Sequence, residues 1–114
     1  MSIKRLMLLA ALALASAALI PAAALGGAHA AARHSVTLKN LRFHPGTLTI
    51  NRGNSVTWGW HDGETEHNVT FPHHFHSRTQ SKGSYTVRFT RSGTFNYHCT
   101  IHVSEGMKGK IIVR

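Results

Sequence analysis

Beyond residue 33, apolar and polar residues alternate along most of the chain. Val36 and Leu38 alternate with polar neighbours, as do Leu48 and Ile50, then Val56, Trp58 and Trp60. Tyr85, Val87 and Phe89 repeat the pattern, Phe95, Tyr97 and Cys99 repeat it again, and Ile111 to Val113 form a last apolar stretch. A period of two with one apolar face predicts half-buried antiparallel strands. Turn formers separate them: His44-Pro45-Gly46, Asn51 to Asn54, His61-Asp62-Gly63, Ser81-Lys82-Gly83 and Arg91-Ser92-Gly93. Short strands at this spacing predict an all-β sandwich or barrel. The stretch Phe71 to Gly83, polar and histidine-rich, breaks the alternation and reads as a loop with at most a short irregular strand. No internal repeat is visible.

The first thirty residues follow a different rule. Lys4 and Arg5 precede an uncharged apolar run from Leu6 to Ile20, Pro21 ends it, and Ala28-His29-Ala30 fits a small-x-small cleavage site. That order predicts a signal peptide over residues 1–30, cleaved after Ala30, rather than a retained anchor. The apolar core is short for a span of about 20 residues. The protein is then exported, periplasmic or secreted, without stable membrane insertion, and residues 31–114 form a single small domain expected to be a monomer.

Charge changes this picture little. The 114-residue chain carries 13 Lys and Arg against 4 Asp and Glu. The basic residues are scattered rather than gathered into an arm, so nucleic acid is not the expected partner. A positive surface does favour partners with an acidic face.

Cys99 is the only cysteine. An exported protein normally pairs its cysteines, so a lone thiol calls for a reason. Strand parity turns Cys99 to the same inward side as Phe95 and Tyr97. His67 shares parity with Val69 and Phe71, so it points inward as well. His102 and Met107 follow Cys99 in one loop before the last strand. One thiolate, two imidazoles and a thioether form a donor set suited to copper cycling between Cu(I) and Cu(II). Zinc more often takes a further Cys or His, or keeps an open water position. His98, next to the cysteine with opposite parity, should face outward.

These residues carry a resemblance. "FHPGTLTINRGNSVTW" (43–58), "HNV" (67–69) and "SGTFNYHCTIHVSEGMKGKIIV" (92–113) resemble, in order, the motifs of the cupredoxins, and of the plastocyanin and amicyanin group among them. The resemblance implies a Greek-key β-sandwich with one type 1 copper ion bound by His67, Cys99, His102 and an axial Met107. It implies that Asn68 braces the two ligand loops and donates its backbone N–H to the cysteine sulfur. It further implies electron transfer to redox partner proteins at the exposed edge of His102, rimmed by Ile101, Val103, Pro45 and Gly46. Four departures stand out. Trp60 replaces the usual Asn, Glu66 replaces a common proline, Ile101 replaces another, and the loop from Trp58 to His67 is about one residue longer.

Three functions compete at this point. The first is a one-electron carrier and not an enzyme. The second is a copper storage, delivery or resistance protein, suggested by His73, His74 and His76 as a weak second metal site with His61 nearby. The third is an enzyme with an open copper or zinc position, which requires that Met107 not ligate.

Overall fold

The structure is a computed structural model that describes residues 31–114. The signal peptide expected over residues 1–30 lies outside the described residues. Seven strands follow in order: β1 (Arg33–Lys39), β2 (Arg42–His44), β3 (Thr47–Ile50), β4 (Ser55–Trp60), β5 (Ser84–Arg88), β6 (Gly93–His98) and β7 (Lys108–Val113). A single 3₁₀ turn, Val103–Glu105, interrupts the loop before β7. Among the described residues there is no α-helix, and none is long and apolar enough to cross a membrane.

Two sheets face each other, one ordered β2-β1-β4-β5 and the other β3-β7-β6. An all-β sandwich is therefore present, but not the purely antiparallel one that alternation suggests. β1 runs parallel to β4, with Val36 opposite Trp58, and β3 runs parallel to β7, with Leu48 opposite Ile111. The reason is physical. Alternation reports which face of a strand is buried and is silent on the direction of its neighbour. β2 also goes beyond the expected strands. Its three residues, with only Phe43 buried, are too few to show a period.

The inward faces meet in one core. Trp58 sits at its centre, fully buried, with the rings of Phe71 and Tyr97 edge-on at 5.7 and 5.4 Å. Val36, Leu38, Val56, Val69, Ile111 and Val113 surround them. Each such side chain removed from water contributes roughly 1.5–3 kcal/mol. Cys99, Met107 and His67 are as deeply buried as these apolar residues. The metal-type donors are thus part of one end of the core rather than an addition to the surface.

One backbone detail secures the sheet around Tyr97. Gly109 pairs with Tyr97 across β6 and β7, and a Cβ at Gly109 would fall 2.6 Å from the phenol ring and hydroxyl. Glycine is required here for space, because a side chain would overlap the Tyr97 ring and crowd the Gly46 carbonyl oxygen at 3.0 Å. The Tyr97 hydroxyl and the Trp58 indole N–H are both buried without a hydrogen-bond partner among the described residues. Burial pushes the Tyr97 hydroxyl up to about 12, and the nearby Trp58 N–H pulls it weakly the other way without completing a bond.

Candidate metal centre

Two segments far apart in sequence build the centre. The first runs from His67 to Phe71. Thr70 exchanges backbone hydrogen bonds with His98 at the end of β6, at 2.9 and 3.0 Å, which lays this segment beside Cys99. His67 itself exchanges backbone bonds with Gln80 at 2.9 and 3.0 Å. The Trp60 indole N–H also donates to the His67 carbonyl at 3.0 Å. Trp60, which stands where the family usually has Asn, is therefore a direct support for the backbone of His67.

The second segment is the loop from Cys99 to Met107. Cys99 N–H donates to the Met107 carbonyl at 3.1 Å, and Met107 N–H donates to the His102 carbonyl at 3.2 Å. The 3₁₀ turn closes on Gly106, whose φ of 89° suits glycine. The loop is thus coiled on itself, and its three donor residues are held in one short wrap.

Asn68 joins the two segments. Its carbonyl oxygen accepts from Thr100 N–H at 3.0 Å and from the Thr70 hydroxyl at 2.9 Å. Its amide donates to the Thr100 and Thr79 hydroxyls at 2.8 and 3.0 Å. The expected brace between the ligand loops is present, and the buried amide is fully satisfied. Asn68 is also buried although it alternates with His67 and Val69, its side chain being held between Thr79 of the loop that follows and Thr100 beside Cys99.

Three donor atoms converge. His67 Nδ1 and His102 Nδ1 are 3.2 Å apart, and Cys99 Sγ lies 3.9 Å from the first and 3.7 Å from the second. Points 3.2, 3.7 and 3.9 Å apart lie on a circle of radius about 2.1 Å, within the roughly 2.0–2.3 Å of metal–imidazole and metal–thiolate bonds. The three residues could therefore hold a metal ion at ordinary bond lengths as they stand. The set is the one three-donor group of His, Cys, Asp and Glu that stands out among the described residues. Soft sulfur with two imidazoles in a trigonal array matches copper chemistry. The structure therefore brings His67, Cys99 and His102 together as expected. Met107 is fully buried and tied by its backbone to both Cys99 and His102.

The protonation of His67 follows from its far side. Nε2 lies 2.7 Å from Asp62 Oδ2. A carboxylate oxygen only accepts, so Nε2 carries the proton and, in the neutral ring, Nδ1 presents its lone pair to the centre. Burial pushes the Asp62 carboxyl up, but hydrogen bonds from the His67 ring and the Asn40 and Leu41 N–H groups outweigh it and hold it below its usual value. Asp62 was not singled out from the sequence for any chemistry. The available signal was slight: it is the only aspartate in the chain, in a turn five residues before His67.

Other expected sites are placed differently. Among the described residues His73, His74 and His76 do not converge in this way. His74 lies 5.8 Å from the Phe95 ring, at an open groove of about 440 Å³. His76 Nδ1 lies 2.9 Å from the Ser77 carbonyl oxygen, as a donor to it. Ile101 and Val103, at 48% and 39% exposure, are the exposed large apolar residues of the described chain, and they flank the half-buried His102. Pro45 is exposed at the turn between β2 and β3.

The model of the copper-binding proteins of the plastocyanin/azurin family matches residues 30–114. The chain belongs to this family. Within the plastocyanin/azurin family it is 34% identical over 87 residues to a chloroplastic plastocyanin of Tetradesmus obliquus, covering 65% of this chain and 59% of that one. It is 31% identical over 85 residues to amicyanin of Paracoccus denitrificans, covering 68% and 63%. The match thus spans less than two thirds of either relative's length. Among solved structures, a Cu(I) form of an amicyanin variant superposes with a TM-score of 0.65 at 26% identity, covering 72% of this chain and 82% of that one. Copper is thus the family's metal, and the donor triangle is where this member has the chemistry to hold it.

Proposed function

We propose that the protein is a one-electron carrier acting outside the cytoplasmic membrane, with copper held by His67, Cys99 and His102 and by Met107 as a weak axial ligand. The observation that carries this reading is the buried donor triangle with a radius matched to metal bonds. Bound copper would supply a Cu(II)/Cu(I) couple. The chain's own residues do the rest. Asn68 and the coiled loop hold the donors in one arrangement, so little has to move when the charge at the centre changes. Burial of His67, Cys99 and Met107 keeps water and substrate away, which fits a carrier rather than an enzyme. Ile101 and Val103, with Pro45 beyond, offer an apolar rim around the open edge of His102 through which electrons cross to a partner protein.

The Greek-key cupredoxin form of the sandwich, monomeric state and removal of residues 1–30 belong to the same proposal. The sandwich form is supported by the family match over residues 30–114, and the removal by the signal-like pattern before it. Removal of residues 1–30 takes Lys4 and Arg5 with it, and the remaining formal charge, about +7 against +9 for the full chain, favours partners with an acidic docking face. Association rates should then fall as salt rises.

Copper stoichiometry and the visible spectrum of the mature protein test the proposal. One copper per chain with an intense thiolate-to-Cu(II) band is expected, and Cys99→Ala should remove the band. Two or more copper ions per chain, readily passed to an acceptor, would favour storage or delivery instead. Met107→Leu should keep copper and raise the reduction potential. No change in potential would remove Met107 from the ligand set.

A further inference from the structure

We infer that Asp62 is a positioning residue for the copper ligand His67: its carboxylate fixes the ring tautomer and orientation and biases the centre towards Cu(II). The inference rests on the proposed ligand role of His67. Its starting point is a contact that the donor set alone does not require. His67 is completely buried, and Nε2, the ring nitrogen turned away from the centre, meets Asp62 Oδ2 at 2.7 Å.

The carboxylate is itself pinned. Oδ1 accepts from Asn40 N–H at 3.0 Å, and Oδ2 accepts from Leu41 N–H at 3.2 Å as well as from His67. Asn40 and Leu41 form the turn between β1 and β2, and both have left-handed φ, 54° and 55°. Such a turn presents successive N–H groups to one side, a ready seat for an anion. The carboxylate therefore cannot swing away without leaving two N–H groups of a strained turn unpaired. A side chain 16% exposed at the protein surface becomes a fixed electrostatic element.

The same turn reaches the other ligand segment. Arg42 Nη1 donates to the Leu41 carbonyl at 3.0 Å and to the Glu105 carbonyl at 2.9 Å. Glu105 lies in the loop between His102 and Met107. One turn thus anchors His67 through Asp62 and the Cys99–Met107 loop through Arg42.

Two consequences follow from chemistry. With its proton held at Nε2, His67 cannot adopt the tautomer that would place N–H at the donor triangle. A negative charge on the far side of the ring also makes Nδ1 a stronger donor, and the higher-charged ion gains more from this than the lower. Asparagine at position 62 would offer one acceptor oxygen in place of two and no charge.

The test is Asp62→Asn in the full mature protein, with Asp62→Glu as the conservative partner. Cu(II) and Cu(I) affinities are measured by competition with chelators, the potential by voltammetry, and apo-protein stability by urea unfolding. Asp62→Asn should weaken Cu(II) binding by about 10-fold or more, weaken Cu(I) binding less, and raise the potential, while Asp62→Glu recovers most of the difference. Equal affinities and an unchanged potential, with only apo stability lowered, would reduce Asp62 to a turn anchor and overturn the inference.

Should Asp62→Asn fail to fold, the wild type decides. In the Cu(I) protein, nitrogen-resolved NMR should show His67 protonated at Nε2, with that proton shifted downfield and protected from exchange. An unprotonated or freely exchanging Nε2 overturns the inference. Failure of the wild type to bind copper at the three donors would instead sink the ligand assignment.

Discussion

His67 and His102 bring the same atom, Nδ1, to the same point, yet the chain secures their far sides in opposite ways. His67 is fully buried, its ring tied to Asp62, its backbone to Gln80 and its carbonyl to Trp60. His102 is half-buried in a loop between two exposed apolar residues, and among the described residues its side-chain hydrogen bonds run through Nδ1 alone. One imidazole is part of the frame and the other is the frame's opening. Identical donors can thus serve different ends when the surroundings of their second nitrogen differ.

The sharpest way to break this comparison is to truncate each histidine in the metal-free protein. His67→Ala should cost about 3 kcal/mol, because it leaves a cavity and strips Asp62 of a donor. His102→Ala should cost about 1 kcal/mol or less, as expected of a part-exposed loop residue. Equal costs in urea unfolding would mean that the two rings are supported alike.

Next comes the link between the arms. Asn68→Ala removes the acceptor of Thr100 N–H and should cost about 2 kcal/mol. It should also broaden the copper spectrum of the loaded protein, since the arms could then move independently. An unchanged spectrum would show that Asn68 stabilises the fold without setting the geometry.

Gly109→Ala probes the floor beneath the Cys99 arm. Its Cβ would meet Tyr97 at 2.6 Å, and a loss of about 1–3 kcal/mol is expected from overpacking. Little loss would mean that β7 can shift, and the Cys99 arm would then be the looser of the two.

The smallest effect belongs to Tyr97→Phe. Removing an unpartnered buried hydroxyl should leave stability at pH 7 unchanged or raise it by about 1 kcal/mol. The larger signal is alkaline. The folded chain holds the Tyr97 proton up to about pH 12, whereas the unfolded chain releases it near the ordinary value of 10.0. The unfolded state therefore binds fewer protons across that window, and wild-type stability should fall as pH rises through it, by on the order of 2 kcal/mol. Tyr97→Phe should flatten this limb in pH-dependent melting. A limb that persists would assign it to other groups.

Much of this was open to reading in the chain itself. Period-two burial placed Val36, Leu38, Val56, Trp58, Tyr97 and Cys99 on inward faces, because alternation is a local property of a strand. His67 and Cys99 could be paired from parity and residue chemistry. The parallel neighbours were not legible, since direction depends on where distant connections cross. Asp62 was missed for a related reason. Its partners are a turn twenty-odd residues upstream and the far nitrogen of a ring, and neither leaves a trace in periodicity. Trp60 looked like a departure from the family pattern, and only the fold showed its N–H on the His67 carbonyl.

The place of β7 has a kinetic consequence. It follows every other strand in the chain yet lies in the middle of its sheet, between β3 and β6. Thr47 must find Lys110, so that sheet cannot close until a long intervening loop has been ordered. Such non-local pairing is slow to form. Cys99, His102 and Met107 share one loop, but His67 joins them only through the non-local pairing of Thr70 with His98. The complete donor set therefore exists only once segments distant in sequence have met, and metal held by all of it would report that this contact has formed.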